Sequence, residues 1–228
     1  MKPRRTEDLL GPLNEVEERH APAMLYVQGH EEWLRDGVRV SVVGARDVSP
    51  DGVKRASRLA RELVEADVTV VSGLALGVDA TAHRSAIQFG GRTIAVLGTP
   101  LDKVYPRENA ALQRLIGAEH LLVSQFAAST TTARHSFPLR NRTMALISHA
   151  TVIIEASNTS GSLSQGWEAL RLGRALFIAR ALFDRSDLTW PREMLNYGAS
   201  VLQHTEDILE ILPSQPDQLP PELIDAIA

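Results

Sequence analysis

From Val38 onward the sequence alternates short apolar runs with longer amphipathic stretches. This rhythm constrains the fold more than any other feature. The apolar runs are 40–44, 68–72, 93–97, 120–124, 151–155 and 175–179, with a weaker one at 200–202. Several are unbroken in Val, Ile and Leu, the pattern of strands buried on both faces of a parallel sheet. The stretches between them read as helices. Ser49-Pro50 has the form of an N-cap followed by proline in the first turn. After it, Val53, Ala56, Leu59, Ala60, Leu63 and Val64 recur at helical spacing. Strand–helix alternation implies right-handed βαβ crossovers. The expected class is therefore α/β, a Rossmann-like, doubly wound, mostly parallel sheet.

The chain has 228 residues, which suits one large domain. Residues 38–212 carry the rhythm. Residues 1–37 read as a polar, irregular N-terminal extension with a short helix around 31–34, and 213–228 as a Pro-rich, linker-like tail. No apolar run is long enough for a membrane span, and the basic start lacks the apolar core of a signal peptide. The absence of cysteine excludes disulfides, thiolate metal sites and Cys nucleophiles. A cytoplasmic location is the expectation. A net charge of −4 excludes a generally basic nucleic-acid binder, so any polyanion must be held by a local patch.

Small and polar residues collect just after the strands. Gly44-Ala45-Arg46 follows the first, and Ser72-Gly73 opens a glycine loop running to Gly77 after the second. Gly98-Thr99-Pro100 follows the third, and Glu155 leads into Ser160-Gly161-Ser162 after the fifth. Ligands of open α/β sheets bind outside the carboxyl ends of the strands, where glycines admit close backbone approach and helix N-termini offer free N–H groups. One such loop is as readily a turn as a site. Four on one edge point to a site for an anionic ligand. No nucleotide fingerprint is present: there is no Walker sequence, and Gly73 and Gly77 lack the dinucleotide-binding spacing.

A second signal is Phe137-Pro138-Leu139-Arg140-Asn141-Arg142, with Arg134 and His135 just upstream. Arginine forks grip phosphate, and an aromatic beside them stacks a base. The alternative is a solvated basic helix start with Phe137 in the core. Arg46 and Arg107 are further cations for the same edge. Asp79 and His83 sit one helical turn apart with no third ligand, which fits hydrogen bonding around the glycine loop better than a metal. Glu155 is either a general base or a carboxylate that pins a loop. No metal and no cofactor is expected.

At these residues the sequence resembles the bacterial DNA-processing protein A (DprA, or Smf) family. The resemblance runs through VVGAR (42–46), SGLALGVDATAH (72–83), GGRTIAVLG (90–98) and LDKVYPREN (101–109). It continues through FPLRNR (137–142), VIIEASNTSGSL (152–163), ALRLGRALFIA (169–179) and TEDILEIL (205–212). Order and spacing hold over 38–212. The chain departs from the family pattern at Ala45, Thr99-Pro100, Gln125, 164–167 and 179–192. On this resemblance the family's N-terminal helical domain is expected to be nearly absent here and its C-terminal winged-helix domain to be missing.

The resemblance implies an extended Rossmann fold, single-stranded DNA binding without catalysis, a homodimer, and transfer of the strand to a RecA-type recombinase in natural transformation. It places Gly44 and Arg46 in the phosphate-binding turn and Phe137 against a base. Arg140, Asn141 and Arg142 complete the basic pocket, and Ser72, Gly73, Ser160 and Gly161 line the phosphate path; Ser162 and Arg107 join them as candidates by loop position and charge. Two competing readings remain. One is a nucleotide sensor or nucleoside-monophosphate phosphoribohydrolase of the same superfamily, with Glu155 as its acid/base group. The other is a protein–protein module that uses the fold as a scaffold.

Overall fold

The computed structural model describes residues 3–213. The parallel strands fall where the apolar runs lie: β3 (Arg39–Val43), β4 (Thr69–Ser72), β5 (Thr93–Leu97), β6 (Leu121–Ser124), β7 (Ala150–Ile153), β8 (Ala175–Ala179) and β9 (Ser200–Leu202). Before them come β1 (Pro3–Arg5), α1 (Thr6–Leu10), α2 (Glu15–His20) and β2 (Met24–Gly29), then a single 3-10 turn at Glu31–Leu34. The helices between the parallel strands are α3 (Pro50–Glu65), α4 (Val78–Gln88), α5 (Ala110–Glu119), α6 (Ser136–Ile147) and α7 (Ser162–Arg171). Two short ones, α8 (Trp190–Asn196) and α9 (Glu206–Leu209), flank β9.

One nine-stranded sheet runs β1-β2-β6-β5-β4-β3-β7-β8-β9. From β3 the chain steps outward through β4, β5 and β6, then returns to the other side of β3 and steps through β7, β8 and β9. All of these pairings are parallel. The reversal between β3 and β7 is the topological switch point, where the carboxyl ends of two strands part and open a crevice.

The N-terminal segment differs from its sequence reading. It is not irregular: β2 pairs antiparallel with β6, and β1 pairs antiparallel with β2. Only Leu25 of β2 is fully buried, so the strand lacks the apolar signature of its parallel neighbours. The tail from 214 onward lies outside the described residues.

Alternate residues of each strand feed opposite layers. Val40, Val42, Val70, Val152 and Phe177 meet Ala56, Leu59, Ala60 and Leu63 of α3 and Val78, Ala82 and Ala86 of α4. Val43, Val71, Ile94, Val96, Ile153 and Ile178 meet Met144 and Ile147 of α6 and Trp190 and Met194 of α8. Each fully buried Leu, such as Leu63, contributes about 1.5–3 kcal/mol of apolar transfer. Ser49 caps α3 by accepting from the Gly52 amide at 3.0 Å, with Pro50 in the first turn. The expected face of α3 is buried at its centre, whereas Val53 is exposed.

Candidate nucleic-acid interface

The carboxyl ends of β3, β4, β5 and β7 meet the first turns of α4, α6 and α7, and two adjoining clefts lie there. One, of about 440 Å³, is lined by Arg46, Gly73, Gly98, Tyr105, Arg107 and Phe137 among others. The second, of about 380 Å³, is lined by Gly44, Arg46, Asn141, Ser160, Gly161 and Ser162 among others. Arg46, Phe137 and Arg140 border both.

Arg46 stands at the divide. It follows β3 in an exposed turn, and its guanidinium carbon lies 5.8 Å from the centre of the Phe137 ring. Among the described residues no carboxylate forms an ion pair with it. Phe137, in the first turn of α6, is half-buried against Gly98, where an added Cβ would meet the ring at 2.6 Å. Its ring also tilts against Tyr105, centroids 5.3 Å apart.

The turn that presents Arg46 is fixed by backbone contacts. The Ala45 amide donates to the Glu155 carbonyl at 2.7 Å, and the Val78 amide donates to the Ala45 carbonyl at 3.1 Å. Gly77 makes this approach possible. It sits at φ +75°, and a Cβ there would fall 2.2 Å from the Ala45 carbonyl oxygen.

Arg140 is part of the site's foundation. Its side chain is 6% exposed, and the guanidinium donates to the Gly73 carbonyl, to the Val96 carbonyl at 2.9 Å and to Asn141 Oδ1 at 3.0 Å. It thereby ties the ends of β4 and β5 to α6. Asp79 completes this arrangement from the other side, accepting from the Gly73 and Ala75 amides at 3.1 and 3.3 Å. Burial pushes the Asp79 carboxyl upward, and the Arg140 charge opposes that shift. Asp79 thus has the loop-holding role expected for this pair. His83 instead meets Thr93 Oγ1 at 2.7 Å, inside the protein.

The second cleft has the features of an anion site. Ser160, Gly161 and Ser162 lead into the N-terminus of α7, where the helix dipole favours negative charge. Ser162 Oγ has no hydrogen-bond partner among the described residues. A Cβ on Gly161 would meet nothing within 4 Å, so the turn is open. Asn141 Nδ2 donates to the Gly161 carbonyl at 3.1 Å and holds this turn against α6.

Of the expected residues, Gly44, Gly73, Arg46, Arg107, Phe137, Arg140, Asn141, Ser160, Gly161 and Ser162 line the two clefts. Ser72 and Arg142 are placed differently. Ser72 is fully buried, its hydroxyl donating to the Val42 carbonyl at 2.7 Å. Arg142 lies beyond the clefts, with Nε 3.5 Å from Glu168 on α7. Two residues along a helix are rotated by about 200°, so Arg140 and Arg142 face different ways.

Glu155 resolves as a loop pin. Its carboxylate accepts from the Ser49 amide at 2.9 Å, the Ser49 hydroxyl at 2.6 Å and Arg55 at 3.1 Å. Tyr105 is the site residue that sequence reasoning passed over. It sits in an irregular loop within LDKVYPREN (101–109), and its aromatic character beside Arg107 was the available signal.

Fold and edge together define a Rossmann-type α/β protein with an anion-ready switch point and an aromatic, arginine-bearing rim. The chain belongs to the DNA recombination-mediator protein A family, whose match covers residues 8–213. It is 37% identical over 191 residues to the DNA processing protein DprA of Streptococcus pneumoniae, covering 83% of this chain and 66% of that protein. The Bacillus subtilis DprA is 32% identical over 195 residues, 85% of this chain and 65% of that one. The chain therefore spans just under two thirds of these relatives' length.

The X-ray structure of S. pneumoniae DprA superposes with a TM-score of 0.83 at 32% identity, over 93% of this chain and 75% of that one. DNA processing protein A of Helicobacter pylori, solved for its single-stranded DNA binding mode, gives a TM-score of 0.75 at 27% identity, over 88% of this chain and 93% of that one. Among the described residues, no helix is long and apolar enough to cross a membrane, and no acidic or histidine cluster is arranged for a metal.

Proposed function

We propose that this chain binds single-stranded DNA along the carboxyl edge of its sheet and acts as a recombination mediator. One observation carries the reading: Arg46, exposed and free of any carboxylate ion pair among the described residues, stands over Phe137 at the divide between the two clefts. A cation beside an aromatic ring suits a chain that alternates phosphates with bases. The phosphate follows the Gly44–Arg46 turn and the Ser160–Ser162 turn, and bases lie toward Phe137. The family's description and the H. pylori protein's single-stranded DNA binding support this assignment.

The fuller role is to hand the bound strand to a RecA-type recombinase, with the protein working as a homodimer. Tyr197 on the β8–β9 side is 67% exposed and packs edge-on against Trp167, an aromatic pair suited to a protein contact. The Glu155 carboxylate is engaged by Ser49 and Arg55, which supports its role as a loop pin over that of a nucleotide hydrolase's acid/base group.

The test is a salt-series titration with oligo-dT, a duplex and mononucleotides side by side. The expected result is preference for the single strand and an affinity that falls steeply with salt. No oligo-dT binding at low salt overturns the proposal.

A further inference from the structure

The two clefts differ in what they can hold. The smaller is polar and ends at the first turn of α7, with an unpaired Ser162 hydroxyl. The larger is walled by Leu76, Val104 and Tyr105, which are 37%, 40% and 45% exposed, and Glu108 also lines it. Exposed large apolar groups gathered at one cleft mark a place where something apolar docks. Among the described residues Glu108 has no ion pair. A free carboxylate repels phosphate, but it accepts hydrogen bonds from the N–H groups of a base. Arg107 lines the same larger cleft, so its apolar walls rather than its charge favour the base there, with phosphate on the α7 side and base on the Tyr105 side.

Phe137 alone does not furnish an open surface for that base. Gly98 backs its ring, and Arg46 stands 5.8 Å from its centroid. Tyr105 tilts against it at 45°, with centroids 5.3 Å apart. Sandwiching a base between two rings needs two contact layers of about 3.5 Å each, roughly 7 Å. The rings therefore leave no slot between them and, tilted at 45°, present separate faces, of which that of exposed Tyr105 is open to a base.

We infer that Tyr105 is a base-stacking residue of this interface, taking the nucleobase beside Phe137 in the cleft closed by Leu76 and Val104. This deepens the single-stranded DNA reading and rests on it. The stacked ligand is a nucleobase of a single strand; a paired base would have its edge occupied and could not enter.

The experiment uses the full chain and two equal-length probes, oligo-dT and a fully abasic strand with the same phosphates. Tyr105→Leu keeps an apolar contact with Phe137 but removes the stacking face, and thermal melting confirms that it folds. The expected result is an oligo-dT affinity about tenfold weaker, with abasic-strand affinity unchanged. Tyr105→Phe restores oligo-dT binding. Unchanged oligo-dT binding by Tyr105→Leu overturns the inference, as does an equal loss on both probes. A wild-type protein that binds neither probe overturns the function itself, a separate outcome read from the wild-type arm alone.

Discussion

The guanidinium carbon of Arg46 lies 5.8 Å from the centre of the Phe137 ring, although the two residues are carried by different elements. Arg46 leaves the end of β3, and Phe137 opens α6. Their meeting depends on Gly77, Gly98 and Glu155, which position the two turns. The cation is oriented by a ring while its N–H donors stay in solvent, which suits a ligand whose phosphates and bases arrive in alternation.

Arg46→Ala should weaken oligo-dT binding by about 10- to 100-fold, the loss of charge-assisted hydrogen bonds to one phosphate. The slope of log affinity against log salt should become shallower by about one. Because Arg46 is exposed, urea unfolding should change by no more than about 0.5 kcal/mol. Titrations at four salt concentrations, paired with urea melts, check both parts.

Arg140→Ala should behave in the opposite way. The guanidinium is buried, bonded to the Gly73 and Val96 carbonyls and set opposite Asp79. Its removal leaves two buried carbonyls without their donor and takes away the positive charge that faces buried Asp79, a loss of about 3–5 kcal/mol. A clear drop in Tm is expected, with DNA binding lost through the disordered edge. Adding Asp79→Asn should recover part of the stability, because the pair is coupled. Full stability in the single variant would remove Arg140 from the foundation of the site.

Arg142→Ala should leave oligo-dT affinity within about twofold of wild type. Arg142 meets Glu168 on α7 beyond both clefts, and a partly exposed ion pair contributes roughly 0–1 kcal/mol. The same salt-series titration decides it. A loss matching that of Arg46→Ala would extend the DNA path over α7.

These three arginines show what a linear sequence reveals. The parallel core was legible because β3 to β8 are runs of apolar residues, which burial on both faces demands. β1 and β2 were not, because β2 is half-exposed and its pairing with β6 is a contact across about 95 residues. The edge was legible from glycines and arginines placed after strands. The direction of each arginine was not, since it depends on helix rotation and on which carbonyls lie opposite. Arg140 turns inward to Gly73, and Arg142 turns away to Glu168. Tyr105 was missed because an irregular loop has no period from which to infer a face.

Stability should fall as pH drops through the histidine range. His83 is fully buried, and its pKa is lowered to about 3, chiefly by burial and then by the charges of His120, Arg140 and Arg84. The unfolded chain binds a proton near pH 6.5, and the folded chain resists it until about pH 3. Between those values the unfolded state holds more protons, so stability rises with pH across the window and is fully present above it. The slope from one such group reaches about 1.4 kcal/mol per pH unit. His149, lowered to about 4 by burial and by Arg39 and Arg174, adds in the same direction. Urea melts at pH 5 and pH 7 should show the loss, and His83→Gln should flatten the difference without abolishing it. An equal difference in wild type and variant would mean that His83 takes up its proton as readily folded as unfolded.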